Sequence, residues 1–222
     1  MFPNYTSALN NYANILKNQN DVLEARKLFE KLLEIDPRHA PALMNFAILE
    51  GKDKNYSASL LLFERALKER PKHSETFYNL GNLYLEIKDY QHAEFAYENA
   101  IKFNPKLVPA WTNLILMKQR RANLKEALEL VTRALSFNPD NGGLHFNAGN
   151  IYGELGIFQE AEKHFIQALK FDPNNAKFTF NLAVLYHRNA KYKEAERLYE
   201  QVLIINPKHQ QARKHLKNLN KK

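Results

Sequence analysis

The chain has 222 residues, 45% of them apolar, a formal net charge of +8 and no cysteine. That content can bury a core on the scale of one or two domains, and it excludes disulfides, Cys-ligated zinc and thiol catalysis. No run approaches the roughly 18 apolar residues of a membrane span, and the opening "MFPNYTSALNNYAN" has no basic start leading into an apolar stretch, so no signal peptide is read.

Six of the nine prolines, Pro37, Pro71, Pro105, Pro139, Pro173 and Pro207, follow one another at a fixed interval of 34 residues. A strict period of this length marks stacked supersecondary units. With each proline at position 32, the repeats run 6–39, 40–73, 74–107, 108–141, 142–175 and 176–209, leaving 210–222. Position 20 then reads Ala25, Ser59, Ala93, Ala127, Ala161, Ala195. Position 17 reads Val22, Tyr56, Tyr90, Leu124, Phe158, Tyr192, and position 24 reads Phe29, Phe63, Tyr97, Val131, Phe165, Tyr199. Small residues recur where helices approach closely and aromatics where a knob fills a hole. The pattern resembles the tetratricopeptide repeat, which has two antiparallel helices per unit and a proline just past the second. The resemblance implies an all-α, right-handed α-solenoid of six helix-turn-helix repeats.

In chain order, Met1 and Phe2 open almost directly into the first repeat with no polar cap, so a preceding segment is expected. Pro41 and Pro109, at position 2, suit the first turn of a helix, where a missing N–H costs nothing. In the fourth repeat, Ile115 at position 8, Lys118 at position 11 and Val131 at position 24 depart from the pattern. A bulky position 8 is expected to push the paired helix outward and make that repeat irregular. The terminal "QQARKHLKNLNKK" reads as a basic capping helix, with Leu216 and Leu219 laid on the last repeat and the lysines in water.

Position 6 is asparagine throughout: Asn11, Asn45, Asn79, Asn113, Asn147 and Asn181. Position 9 shares that helix face and adds Asn14, Asn82 and Asn150. In tetratricopeptide repeats these positions face the concave groove. A carboxamide's donors and acceptor match a peptide unit, so a ladder of them can hold an extended chain by its backbone. The arrangement resembles the asparagine ladder of the nuclear O-GlcNAc transferase, which binds substrate peptides in this way. Asparagine at position 6 can equally bridge neighbouring helices. The lysines that clamp chaperone C-terminal tails are absent: position 5 reads Asn10, Met44, Tyr78, Thr112, Phe146, Phe180, and Lys177 stands alone at position 2.

No phosphate loop, metal-binding motif or nucleophile elbow is found, so neither catalysis, cofactor nor metal is expected of this segment. His39, His73 and His209 recur at position 34 and read as turn residues. Six cations and no acid lie in the last fifteen residues, leaving +2 for the other 207. That is a balanced body with a basic end, and nucleic acid is not an expected partner. "NYT" at Asn4 and "NYS" at Asn55 are N-glycosylation sequons that permit a luminal compartment.

Five stretches, "NNYANILKNQN" (10–20), "ALMNFAI" (42–48), "FYNLGNLY" (77–84), "AWTNLILMKQRRANLKEAL" (110–128) and "NLAVLYHR" (181–188), are similar, in the same order, to the C-terminal repeats of the TMTC family. These are transmembrane O-mannosyltransferases targeting cadherins. The resemblance implies that the chain is the repeat region projecting into the endoplasmic reticulum lumen. It would hold acceptor protein or a partner for a membrane-embedded part that transfers mannose from dolichyl-phosphate-mannose. The family's catalytic residues match no position here. Two alternatives stay open: a free-standing cytosolic scaffold, and the repeat arm of a soluble glycosyltransferase.

Overall fold

The computed structural model describes residues 3–219, and among them the secondary structure is thirteen α-helices with no strand. They are α1 (Pro3–Asn18), α2 (Val22–Ile35), α3 (Ala40–Lys52), α4 (Tyr56–Glu69), α5 (Ser74–Glu86), α6 (Tyr90–Phe103), α7 (Val108–Arg120), α8 (Leu124–Phe137), α9 (Gly142–Glu154), α10 (Phe158–Phe171), α11 (Ala176–Arg188), α12 (Tyr192–Ile205) and α13 (Gln210–Leu219). From α3 onward each first helix begins at position 1 of a repeat and each second helix spans positions 17 to 30. The helices pack in hairpins, α3 on α4, α5 on α6, α9 on α10 and α11 on α12, and a second helix packs on the next first helix, as α4 does on α5 and α10 on α11. The result is an α-solenoid of consecutive helix pairs.

Each first helix ends the same way. Position 15 is left-handed in every repeat, at Asn20, Lys54, Lys88, Ala122, Gly156 and Ala190, with φ between 56° and 75°. The next N–H then reaches back to the carbonyl of position 11, as from Asn55 to Glu50 at 2.8 Å and from Lys191 to Tyr186 at 2.9 Å. This is a Schellman closure, and it satisfies carbonyls that the helix end would otherwise orphan. Only one of the six positions is glycine, so the sequence gives little local sign of it.

The second turn depends on the periodic proline. The residue before it is held extended, at φ −134° for Asp36 and −140° for Asn104, because the proline ring excludes helical backbone there. Position 34, except at Leu107, then caps the next helix. His39 Nδ1 accepts from Ala42 N at 3.2 Å and His209 Nδ1 from Ala212 N at 3.1 Å, as Asn141 Oδ1 does from Leu144 N at 3.0 Å. These histidines are helix N-caps, a more specific role than turn filling.

The chain forms two compact units, residues 1–110 and 111–222. In the first, Ala25, Phe29, Leu43, Ala47 and Phe63 lie in one buried core. In the second, Phe146, Ala161 and Phe165 form one cluster, and Ala183, Ala195, Tyr199 and Ala212 another. Positions 20 and 24 are buried in all six repeats, while position 17 is only half-buried and Tyr90 and Tyr192 are exposed. Position 17 is therefore not a core knob. In the fourth repeat α7 and α8 have the lengths of their counterparts, and Ile115 and Val131 are both fully buried. In α13, Leu216 and Leu219 pack beside Ala212 against the last cluster, and Arg213, Lys214 and Lys217 are exposed. Met1, Phe2, Lys221 and Lys222 lie outside the described residues.

Candidate functional site

The asparagines of positions 6 and 9 lie on one face of the first helices. Within the first unit, Asn11 is exposed and Asn45 and Asn79 are half-buried. Asn45 Nδ2 donates to Asn10 Oδ1 at 3.2 Å, from one first helix to the next. Asn79 Nδ2 donates to the Glu75 carbonyl at 2.8 Å, with Met44 Sδ of the preceding repeat at 4.0 Å. Asn82 Oδ1 accepts from the Tyr97 hydroxyl at 2.7 Å. Asn14 has its Oδ1 buried with no partner. Within the second unit, Asn113 is half-buried, Asn147 is only 7% exposed, and Asn181 Nδ2 donates to Asn150 Oδ1 at 3.1 Å.

These asparagines are thus not a uniform row of free carboxamides. Asn45 and Asn181 bridge successive first helices, and burial of Asn147 leaves it little surface to offer a ligand. Position 5 supplies the bridging partners Asn10 and Met44, and nothing in the sequence marks those two in advance.

Two shallow depressions open on this face, one in each unit, at the same repeat register. The first, about 250 Å³, is lined by Ile48, Gly51 and Lys52 of α3 and by Asn79, Asn82 and Glu86 of α5. The second, about 140 Å³, is lined by Asn150, Gly153 and Glu154 of α9 and by Asn181, Val184 and Arg188 of α11. Each combines two carboxamides, an apolar floor, one cation and one anion. That combination can receive a side chain while the amides meet a peptide backbone.

The sequon residues sit elsewhere. Asn4 lies in the first turn of α1, and its side chain is outside the described residues. Asn55 is the exposed N-cap of α4, but its Nδ2, the atom a glycan would occupy, donates to Glu50 Oε2 at 2.8 Å. Glu50 is buried and is also held by Arg26 Nε at 2.8 Å, while Arg26 reaches Asp53 at 2.6 Å.

Among the described residues no group of three or more His, Asp or Glu is placed to hold a metal, and no helix is long and apolar enough to cross a membrane. His145 and His164 do meet, Nδ1 to Nδ1 at 3.0 Å. His145 Nε2 donates to the Pro139 carbonyl at 2.9 Å, so its Nδ1 accepts from His164. Burial first, and the neighbouring His145 second, hold the His164 pKa below the ordinary histidine range. The contact joins α9 to α10.

Family models described as "Tetratricopeptide repeat" match residues 6–39, 74–107 and 154–219. The chain is a tetratricopeptide-repeat protein. Repeats of this family bind peptides and proteins and are typically non-catalytic. PilF of Pseudomonas aeruginosa is similar in structure at 16% identity, with a TM-score of 0.76, over 94% of this chain and 95% of that one. The C-terminal part of a TPR repeat-containing protein from Cytophaga hutchinsonii gives 0.76 at 16% identity, over 95% and 84%. YrrB, a TPR protein with an unusual peptide-binding site, gives 0.64 at 23% identity, over 83% and 95%. At these identities the likeness shows the fold alone. No curated protein matches the chain by sequence.

Proposed function

We propose that this tetratricopeptide-repeat protein holds extended polypeptide on the asparagine face of its first helices. The observation that carries the reading is the recurrence of one depression, with two asparagines at its mouth, at the same register in both units. YrrB, of the same fold, has a peptide-binding site, which supports the comparison. Each backbone hydrogen bond nets only about 0.5–1.5 kcal/mol, so affinity comes from several acting together.

The finer reading follows from the five stretches similar to the TMTC repeats. The chain is the luminal repeat region of an endoplasmic reticulum O-mannosyltransferase, and the polypeptide it holds is a cadherin-type acceptor. A second reading, a cytosolic scaffold, is favoured by one observation: the Asn55 amide is committed to buried Glu50, and a glycan there would replace one of its two N–H groups beside that carboxylate.

The test is fluorescence anisotropy with a set of fluorescein-labelled, Ser/Thr-containing peptides of unrelated sequence. Replacing Asn79 and Asn181 together by Ala removes one amide from each depression and is expected to weaken binding about tenfold with helicity intact. Unchanged affinity, or no binding by the unaltered chain, sinks the reading. For the compartment, cell fractions are immunoblotted with and without an N-glycan-removing enzyme. A membrane-bound band that shifts supports the mannosyltransferase reading, and a soluble, unshifted band supports the scaffold.

A further inference from the structure

A surface helix ordinarily carries one apolar stripe, turned toward the core. Helix α1 carries two. Leu9, Ala13 and Leu16 pack on the core of the first unit. Tyr5, Ala8, Tyr12 and Ile15 follow one another at i, i+3, i+7 and i+10 along another face, and all four are exposed, Tyr12 at 55% and Ile15 at 53%.

The repeat tells what such a stripe meets. Ala8, Tyr12 and Ile15 stand at positions 3, 7 and 10. In α3 those positions are Ala42, Phe46 and Leu49, and in α11 they are Phe178, Leu182 and Leu185, none more than 9% exposed. The second helix of the preceding repeat covers them. Ala25, Phe29 and Leu32 of α2 share one core with the α3 set, and Ala161, Phe165 and Ala168 of α10 share another with the α11 set. Phe29 stacks on Phe46, position 24 on position 7, with ring centroids 5.5 Å apart. The covering residues thus lie at positions 20, 24 and 27, which is i, i+4 and i+7 on one helix face. A four-residue turn joins each covering helix to the helix it covers, so the two run antiparallel.

Helix α1 therefore leaves open the face that α3 and α11 bury. A second copy of the chain has no matching stripe to offer. Positions 20, 24 and 27 are buried in all six second helices, and in α12 Ala195, Tyr199 and Val202 already lie in one cluster with Ala212 of α13.

We propose that the face formed by Tyr5, Ala8, Tyr12 and Ile15 docks an amphipathic helix of a partner protein. That helix runs antiparallel to α1 and carries a small residue, an aromatic residue and a small or aliphatic residue at i, i+4 and i+7. Its aromatic side chain lies against Tyr12, its first small residue against Ile15 and its third residue against Ala8. The recognition is helix on helix, through side chains rather than backbone amides, and does not rest on the asparagine face.

The probe is a fluorescein-labelled peptide of residues 21–36, the α2 sequence with its caps, cross-linked through the exposed positions 27 and 31 to hold it helical. It is expected to bind the full chain saturably by fluorescence anisotropy. Tyr12→Glu and Ile15→Lys, both at exposed positions, should each weaken binding about tenfold with the circular dichroism of the chain unchanged. Phe29→Ala in the peptide should do the same. Binding that survives Tyr12→Glu, or that falls with Asn79→Ala and Asn181→Ala instead, puts the peptide elsewhere and overturns the proposal. No saturable binding by the unaltered chain overturns it as well. Sedimentation of the chain alone tests the other occupant: a dimer that Tyr12→Glu dissolves gives this face to a second copy and overturns the partner helix, and a monomer supports it.

Discussion

Gly149 lies directly beneath the ring of Phe165, so close that a Cβ on the glycine would sit 2.7 Å from Cδ1 and Cε1 of the ring. The same relation joins Gly81 to Tyr97, again position 8 against position 24. In the fourth repeat the volumes are exchanged: Ile115 stands at position 8 and the smaller Val131 at position 24, both fully buried. A pair of positions, rather than either alone, sets how much space separates the two helices of a hairpin. Gly149→Ala should therefore destabilise by about 1–3 kcal/mol through overpacking, although alanine is the better helix former by about 1 kcal/mol. Val131→Phe should destabilise comparably, and adding Ile115→Gly should recover part of the loss. Chemical denaturation of the four proteins checks this, and a neutral Gly149→Ala would refute it.

The left-handed position 15 makes a prediction of opposite sign. Ala122 and Ala190 hold φ of 56° there without the freedom of glycine. An L-residue in that region costs about 1–2 kcal/mol, partly offset by the greater chain entropy glycine loses on folding. Ala122→Gly and Ala190→Gly should each stabilise by about 0.5–1 kcal/mol, read as a raised denaturation midpoint. Gly156→Ala should do the reverse.

Asn14 has its Oδ1 buried and unpartnered, at a position occupied elsewhere by Ile48, Leu116 and Val184. An unmet buried acceptor costs about 1–3 kcal/mol. Asn14→Leu should raise stability by about 1 kcal/mol. A loss instead would mean that the carboxamide is paired in solution.

His164 and His215 both have pKa values lowered from the ordinary histidine range, by burial first and then by the charges of His145 and of His187 and Lys214 respectively. A histidine with a lowered folded pKa is favoured neutral. Its contribution is fully present above the unfolded value near about 6.5, and is lost as pH falls through that value toward the folded one. Thermal stability should be level from about pH 8 to 7 and then decline on acidification. His164→Phe should lower stability at about pH 8, where His145 loses its donor, but flatten the acid slope. An unchanged slope in that variant would assign the acid sensitivity to other groups.

The 34-residue proline period determined the family and the helix pairing, because repetition turns a weak local signal into a register. Proline is legible because its ring acts on the backbone within one residue. The left-handed closure was not legible, since Lys54, Lys88 and the two alanines have no intrinsic liking for it. The Schellman bond and the packing of the following helix impose it. Histidine caps were hidden for a related reason: His39 acts through one ring nitrogen whose role its neighbours decide.

The asparagine face divides in the same way. Six carboxamides at position 6 were visible in the sequence, as was the face they share, because helical periodicity fixes direction. Which of them remain available was decided by contacts between helices far apart along the chain. Asn45 spends its amide on Asn10, Asn181 on Asn150, and Asn147 is covered. The depression between α3 and α5 is likewise a tertiary fact. A Cβ on Gly51 would stand 3.2 Å from Leu83 Cδ1 and Ser59 Oγ, so the absence of a side chain there answers to packing that only the tertiary structure shows.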